Sequence, residues 1–122
     1  MEPKQIDLDI YQGASFNKAW KLQDSNGDPV DLTGWSGYCH FRKKVKDEET
    51  LLIMNTENGK MSIYEEGGYF HYSLDLEPED TQILTVLAGV YDIFLEDVAG
   101  DRIRVQEGKI NVSPAVTRTW AL

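Results

Sequence analysis

The chain has one cysteine, Cys39, among 122 residues. A single thiol cannot close an internal disulfide, and it cannot build a zinc centre. Bases are also scarce, with 12 Lys and Arg against 21 Asp and Glu, a formal net charge of -9. Such a surface repels phosphate, which makes nucleic acid and anionic lipid poor partners. The one basic run, Arg42–Lys46, is followed at once by Asp47, Glu48 and Glu49, which cancel most of its field. It reads as a solvated strand end. No apolar run approaches the ~20 residues that a membrane-spanning helix needs. The start, "MEPKQIDLDI", lacks the basic and then apolar pattern of a signal peptide. Glycine-rich phosphate loops are missing, and no serine sits in a G-x-S-x-G elbow.

What is present is alternation. Ile6, Leu8 and Ile10 alternate with Asp7 and Asp9, the pattern of a half-buried strand. Phe16, Trp20 and Leu22 share a parity, with Lys18 as the exception. Trp35, Gly37, Cys39 and Phe41 form a third inward set, alternating with Ser36, Tyr38, His40 and Arg42. Thr50–Thr56 has strand length, and Asn58-Gly59 signals a hairpin whose return strand opens with Met61 and Ile63. Glu65–Gly68 turns the chain into a strand carrying Phe70, Tyr72, Leu74 and Leu76. Glu77–Leu84 is the one helical candidate, with Pro78 near its start and acids in its first turn. Tyr91, Ile93 and Leu95 mark the next strand. In the last one the parity slips between Val105 and Ile110, which points to a bulge near Gly108.

These features predict an all-β fold, an immunoglobulin-like β-sandwich of seven to nine short strands with one short helix near 78–84. A small barrel is the second choice. Residues 1–114 form the sandwich domain, and 115–122 form a tail beyond Pro114 with no place in the sheets.

Four constellations invite a chemical reading. In "DSNGDPVDLTGW", Asp24, Asn26 and Asp28 are spaced like the first ligands of a calcium loop. Position six is Pro29 instead of glycine, and position twelve is Trp35 instead of an acid, so a turn at Asn26-Gly27 is the better reading. Cys39 and His40 are strand neighbours and point to opposite faces, which excludes a dyad; Cys39 belongs in the core, and His40 and His71 on the surface. Asp75, Glu77, Glu79 and Asp80 cluster where acids are expected at a helix start. Tyr64, Tyr69, Phe70 and Tyr72 would suit a glycan face only if one parity were exposed. Nothing in the chain calls for a catalytic residue, a metal or a cofactor.

Two long stretches carry a resemblance. "IYQGASFNKAWKLQDSNGDPVDLTGW" and "YDIFLEDVAGDRIRVQEGKINVSPAVTR" resemble the two ends of a family of small tailed-bacteriophage structural domains. Similar domains form the N-terminal part of upper baseplate and tail-fibre-attachment proteins. The resemblance runs from Ile10 to Arg118 and is weakest over Lys46 to Tyr69. It implies a non-enzymatic, immunoglobulin-like part of the virion, made in the host cytoplasm, whose partners are other tail, baseplate or fibre subunits, with multiple copies set by virion symmetry. A capsid decoration protein and a glycan-binding module are the alternatives. Partner contacts are expected from the tail, through Val116, Arg118 and Trp120, and from an unpaired edge near Ile6–Ile10.

Overall fold

The structure is a computed structural model that describes residues 2–120. Nine strands and one helix follow in order: β1 (Lys4–Gln5), β2 (Leu8–Tyr11), β3 (Phe16–Lys21), β4 (Ser36–Arg42), β5 (Leu52–Asn55), β6 (Met61–Glu66), β7 (Tyr69–Leu76), α1 (Pro78–Gln82), β8 (Ala88–Glu96) and β9 (Arg102–Ser113). They make two separate sheets, a sandwich and not a barrel. The larger runs β1-β9-β8-β4-β5, with β2 also on β9; the smaller runs β3-β7-β6. β1 and β2 lie end to end along β9 and parallel to it, whereas every other pairing of named strands is antiparallel.

The period-two residues fill the space between the sheets. Leu8, Ile10, Cys39, Phe41, Ile93 and Leu95 from the large sheet meet Met61, Tyr72, Leu74 and Leu76 from the small one, all but sealed from solvent. Cys39 is 1% exposed, and burial pushes its thiol well above the usual range, with Asp92 adding to the effect. It is packing material, as its parity required.

Two expectations need correction. The register break falls between Ile93 and Phe94, so Val105 is the extra residue of β9, and both Val105 and Gln106 turn inward. The bulge is therefore not at Gly108. Gly108 is required for another reason: the carbonyl of Ile6 lies over it, and a Cβ there would sit 2.1 Å from that oxygen. Second, Asn58-Gly59 is a turn but not a hairpin, because β5 belongs to the large sheet and β6 to the small one. Asn58 closes the turn with its amide and also caps the sheet. Its Nδ2 donates to the Ile53 carbonyl at 3.0 Å, and its Oδ1 accepts the Asn55 N–H at 3.1 Å. The one short helix expected near 78–84 is present as a single turn, Pro78–Gln82, with Leu84 beyond its end. Asp80 caps it by accepting the Glu77 N–H at 2.9 Å.

The two D-x-x-G-D segments fold alike. In Asp24–Asp28, Asp24 Oδ1 accepts the N–H groups of Asn26 and Asp28, both at 2.9 Å. In Asp97–Asp101, Asp97 Oδ1 accepts those of Ala99 and Asp101 at 2.9 and 3.0 Å. Each turn ends on a glycine in the left-handed region, Gly27 at φ 82° and Gly100 at φ 93°. The spacing that suggested a calcium loop is thus that of an Asx turn, whose first carboxylate oxygen is committed to backbone. Asp97→Ala is expected to lower unfolding free energy by about 1 kcal/mol, and Asp97→Asn, which keeps the acceptor, by well under half of that. Urea denaturation of the two variants checks this; equal losses would show that the oxygen has no such role.

Candidate functional site

One end of the sandwich carries a cleft whose lining residues are almost all uncharged. It is built by Gln12, at the exit of β2. The Gln12 N–H donates to the Ser113 carbonyl at 2.9 Å, which extends the β2–β9 ladder by one rung. Its side chain then serves three backbone groups. Nε2 donates to the carbonyls of Gln82 and Leu84, each at 3.1 Å, and Oε1 accepts the Ala115 N–H at 3.0 Å. One amide thereby ties together the end of α1, the loop after it and the root of the tail.

Thr81 completes the clasp from the helix. Fully buried, it accepts the Gly13 N–H at 3.0 Å and donates to the Ala14 carbonyl at 2.8 Å. The tail leaves β9 at Ser113, and its Trp120 indole lies over Gly13, where φ is 83°. Between tail, loop and helix runs an open cleft of about 660 Å³. Leu84, Leu87, Pro114 and Trp120 are among its walls. Arg118 is the one charged side chain among the residues that line it, in a chain with 21 acids.

Of the expected contact residues, Arg118 and Trp120 line this cleft and Val116 does not. Val116 is 96% exposed and Trp120 is 63% exposed. Arg118 also faces solvent, but its Nε donates to the Ala115 carbonyl at 2.9 Å, which folds the tail back on itself. Ile83 and Leu87, missed in the sequence, extend the apolar surface at 57% and 65% exposure. Of the expected tail segment 115–122, residues 121 and 122 lie outside the described residues.

The other constellations disperse. His40 and His71 stand on different sheets; Nδ1 of His40 is 3.2 Å from the Arg42 guanidinium, and His71 stacks on Tyr64 with centroids 5.3 Å apart. Among the four acids, Asp80 pairs with Lys60 at 2.6 Å. Burial raises its carboxyl, but the Lys60 ammonium and the Glu77 N–H outweigh that and hold it below the usual range. Asp75 accepts a hydrogen bond from Ser73 at 2.8 Å. Tyr72 is buried in the core, and Lys21 covers the Tyr69 ring, so the aromatics do not line one face. Among the described residues, no group of three or more His, Cys, Asp or Glu is placed to hold a metal ion.

No protein-family model matches the chain, and no curated protein does. Among solved structures, a chicken TCR is similar in fold, with a TM-score of 0.55 and 11% identity. The match covers 96% of this chain and 57% of that one, so the chain spans little more than half the length of the receptor chain. At this identity the likeness concerns the fold alone, and it agrees with the two-sheet architecture: the protein is an immunoglobulin-like β-sandwich.

Proposed function

We propose that the protein is a non-enzymatic structural module of a tailed-bacteriophage virion, an adaptor in the tail, baseplate or fibre attachment that docks through its tail end. The observation that carries this reading is the Gln12 clasp. Gln12 belongs to the "YQG" half of the resemblance and Ala115 to the "SPAVTR" half, and the amide of one holds the backbone of the other at 3.0 Å. Two segments distant in sequence thus share a mechanical task, which is to fix the point where the tail departs.

The physics of the end supports docking. Trp120 and Leu87 expose apolar area beside a cleft whose lining residues include no acid, and burying such area stabilises a contact by roughly 25 cal/mol per Å². A tail clamped at its root loses less entropy on binding than a free one. Arg118 supplies a guanidinium at the rim, suited to a carboxylate of a partner subunit.

Trp120→Ala is expected to weaken assembly by about 2 kcal/mol, the loss typical of a buried aromatic anchor. Deleting residues 115–122 is expected to remove it almost completely. Copies per particle, counted by quantitative mass spectrometry of purified virions, would read both effects. Normal incorporation of the truncated chain would exclude docking through this end. Copy numbers in the hundreds would instead favour a decoration protein.

A further inference from the structure

The two outer edges of the large sheet are finished differently. At β5, the Thr56 N–H donates to the Gly37 carbonyl, so in this antiparallel ladder residues 52 and 54 face β4 while 53 and 55 face outward. There the Asn58 side chain takes the place of a peptide group: it binds the Ile53 carbonyl and the Asn55 N–H, as one residue of a neighbouring strand would. That edge is closed by a strand mimic.

At β2 nothing comparable occurs. Ile6 and Gln12 donate to the carbonyls of Glu107 and Ser113, so in the parallel ladder the even-numbered residues face β9. The N–H groups of Asp7, Asp9 and Tyr11 and the carbonyls of Asp7 and Asp9 therefore point away from the sheet. Among the described residues, none of these groups has a hydrogen-bond partner. Asp7, Asp9 and Tyr11 are all exposed, Tyr11 at 66%. Such an edge is a template for another strand.

We propose that the β2 edge is a strand-addition site for an extended segment of a partner protein with basic and apolar residues in alternation. The chemistry follows from the register. Asp9 and Tyr11 lie on the outer face of the sheet, and Leu8 and Ile10 on the buried face. A basic side chain on the added strand would pair with Asp9, and an apolar one would cover the rim of the core beside Ile10. A second copy is a poor occupant, because β2 against β2 sets acids beside acids on two chains of net charge -9. The edge leads through Gln12 to the tail cleft, yet it is a separate surface, and its test keeps the tail intact.

The probe is a blocked hexapeptide of alternating lysine and valine, with a glutamate-for-lysine twin as control. Hydrogen exchange of the full chain is followed by NMR. With the lysine peptide, the amides of Asp9 and Tyr11 are expected to exchange about tenfold more slowly or better, while Ile53 is unaffected. Tyr11→Pro removes one outward N–H without changing charge or the pairing with β9, and is expected to abolish binding. Asp9→Lys, which leaves the backbone able to pair, is expected to weaken it. Unchanged exchange at Asp9 and Tyr11 would overturn the proposal and leave the acids as guards of a silent edge. Equal binding by Tyr11→Pro, or by the glutamate twin, would also overturn it, since attachment would then not be strand addition to an acidic edge. Failure here leaves the incorporation result for the tail unaffected, and the reverse holds as well.

Discussion

Gly108→Ala is expected to detach the N-terminal strands from the sandwich. The added Cβ would lie 2.1 Å from the Ile6 oxygen and 2.8 Å from the Ile6 carbonyl carbon, and both are backbone atoms that cannot swing aside as a side chain would. Relief requires moving Ile6, and Ile6 is heavily engaged. Its N–H donates to the Glu107 carbonyl at 3.0 Å, and its carbonyl accepts the Tyr91 hydroxyl at 2.6 Å. Next to it, Asp7 Oδ1 accepts the Lys109 N–H at 2.9 Å. A shift large enough to clear the methyl breaks these bonds together and lifts Leu8 and Ile10 from the core. The cost should be about 3 kcal/mol or more, from overpacking and lost burial combined. For a domain of this size that corresponds to a melting temperature lower by roughly 10–15 °C. Gly59→Ala is the control: nothing lies within 4 Å of its Cβ position, and only φ of 79° opposes the change, at about 1 kcal/mol. Calorimetry of the two variants decides the matter. Equal melting temperatures would mean that the close approach of Ile6 is not what Gly108 is for.

That glycine shows where the sequence can be read and where it cannot. Period two is local, so the inward sets of β4, β7 and β8 were legible from Gly37, Cys39 and Phe41, from Tyr72, Leu74 and Leu76, and from Tyr91, Ile93 and Leu95. A slip of parity in β9 is also local, and it was bracketed by Val105 and Ile110. Its position was not, because a glycine draws suspicion of a bulge, whereas the true bulge puts Val105 and the polar Gln106 both inside. The demand on Gly108 comes from a residue 102 positions earlier, through a parallel pairing that no local pattern announces. Asn58-Gly59 fails in the same way. The dipeptide specifies a turn, but which sheet the next strand joins depends on burial elsewhere. At the tail end of the sandwich, Val116 and Trp120 stood out as apolar residues without a strand. Gln12 did not, since a glutamine in a loop has no pattern of its own. Only the meeting of three backbone segments reveals its role.

Gln106→Leu should destabilise the protein although it places an apolar residue in an apolar core. Gln106 is fully buried and lies in the middle of a hydrogen-bond chain across the sandwich. The Tyr72 hydroxyl, from the small sheet, donates to Gln106 Oε1 at 2.7 Å. Gln106 Nε2 donates to the Tyr91 hydroxyl at 2.9 Å, and Tyr91 donates its own proton to the Ile6 carbonyl. Each hydroxyl has one proton, so the amide orientation is fixed by its neighbours. In a fold whose single cysteine cannot form a disulfide, this chain is a polar link between the sheets. Leucine leaves the Tyr72 hydroxyl without an acceptor, and the loss should be about 2–4 kcal/mol. Adding Tyr72→Phe removes the stranded hydroxyl and should recover about 1 kcal/mol, a coupling that a double-mutant cycle measures. The same burial sets an alkaline limit. It pushes the Tyr91 phenol up to about 12, and the Tyr72 phenol higher still. Both folded values lie above the unfolded value of about 10, so the native state favours the protonated phenols. Their contribution is complete below about pH 10 and is lost as pH rises through the folded values. Absorbance at 295 nm should therefore show Tyr72 and Tyr91 ionising late, together with unfolding, and Tyr72→Phe should leave one late phenol. If Tyr72 and Tyr91 ionise near 10 in the folded protein, or if Gln106→Leu melts with the wild type, the link across the sandwich does not hold.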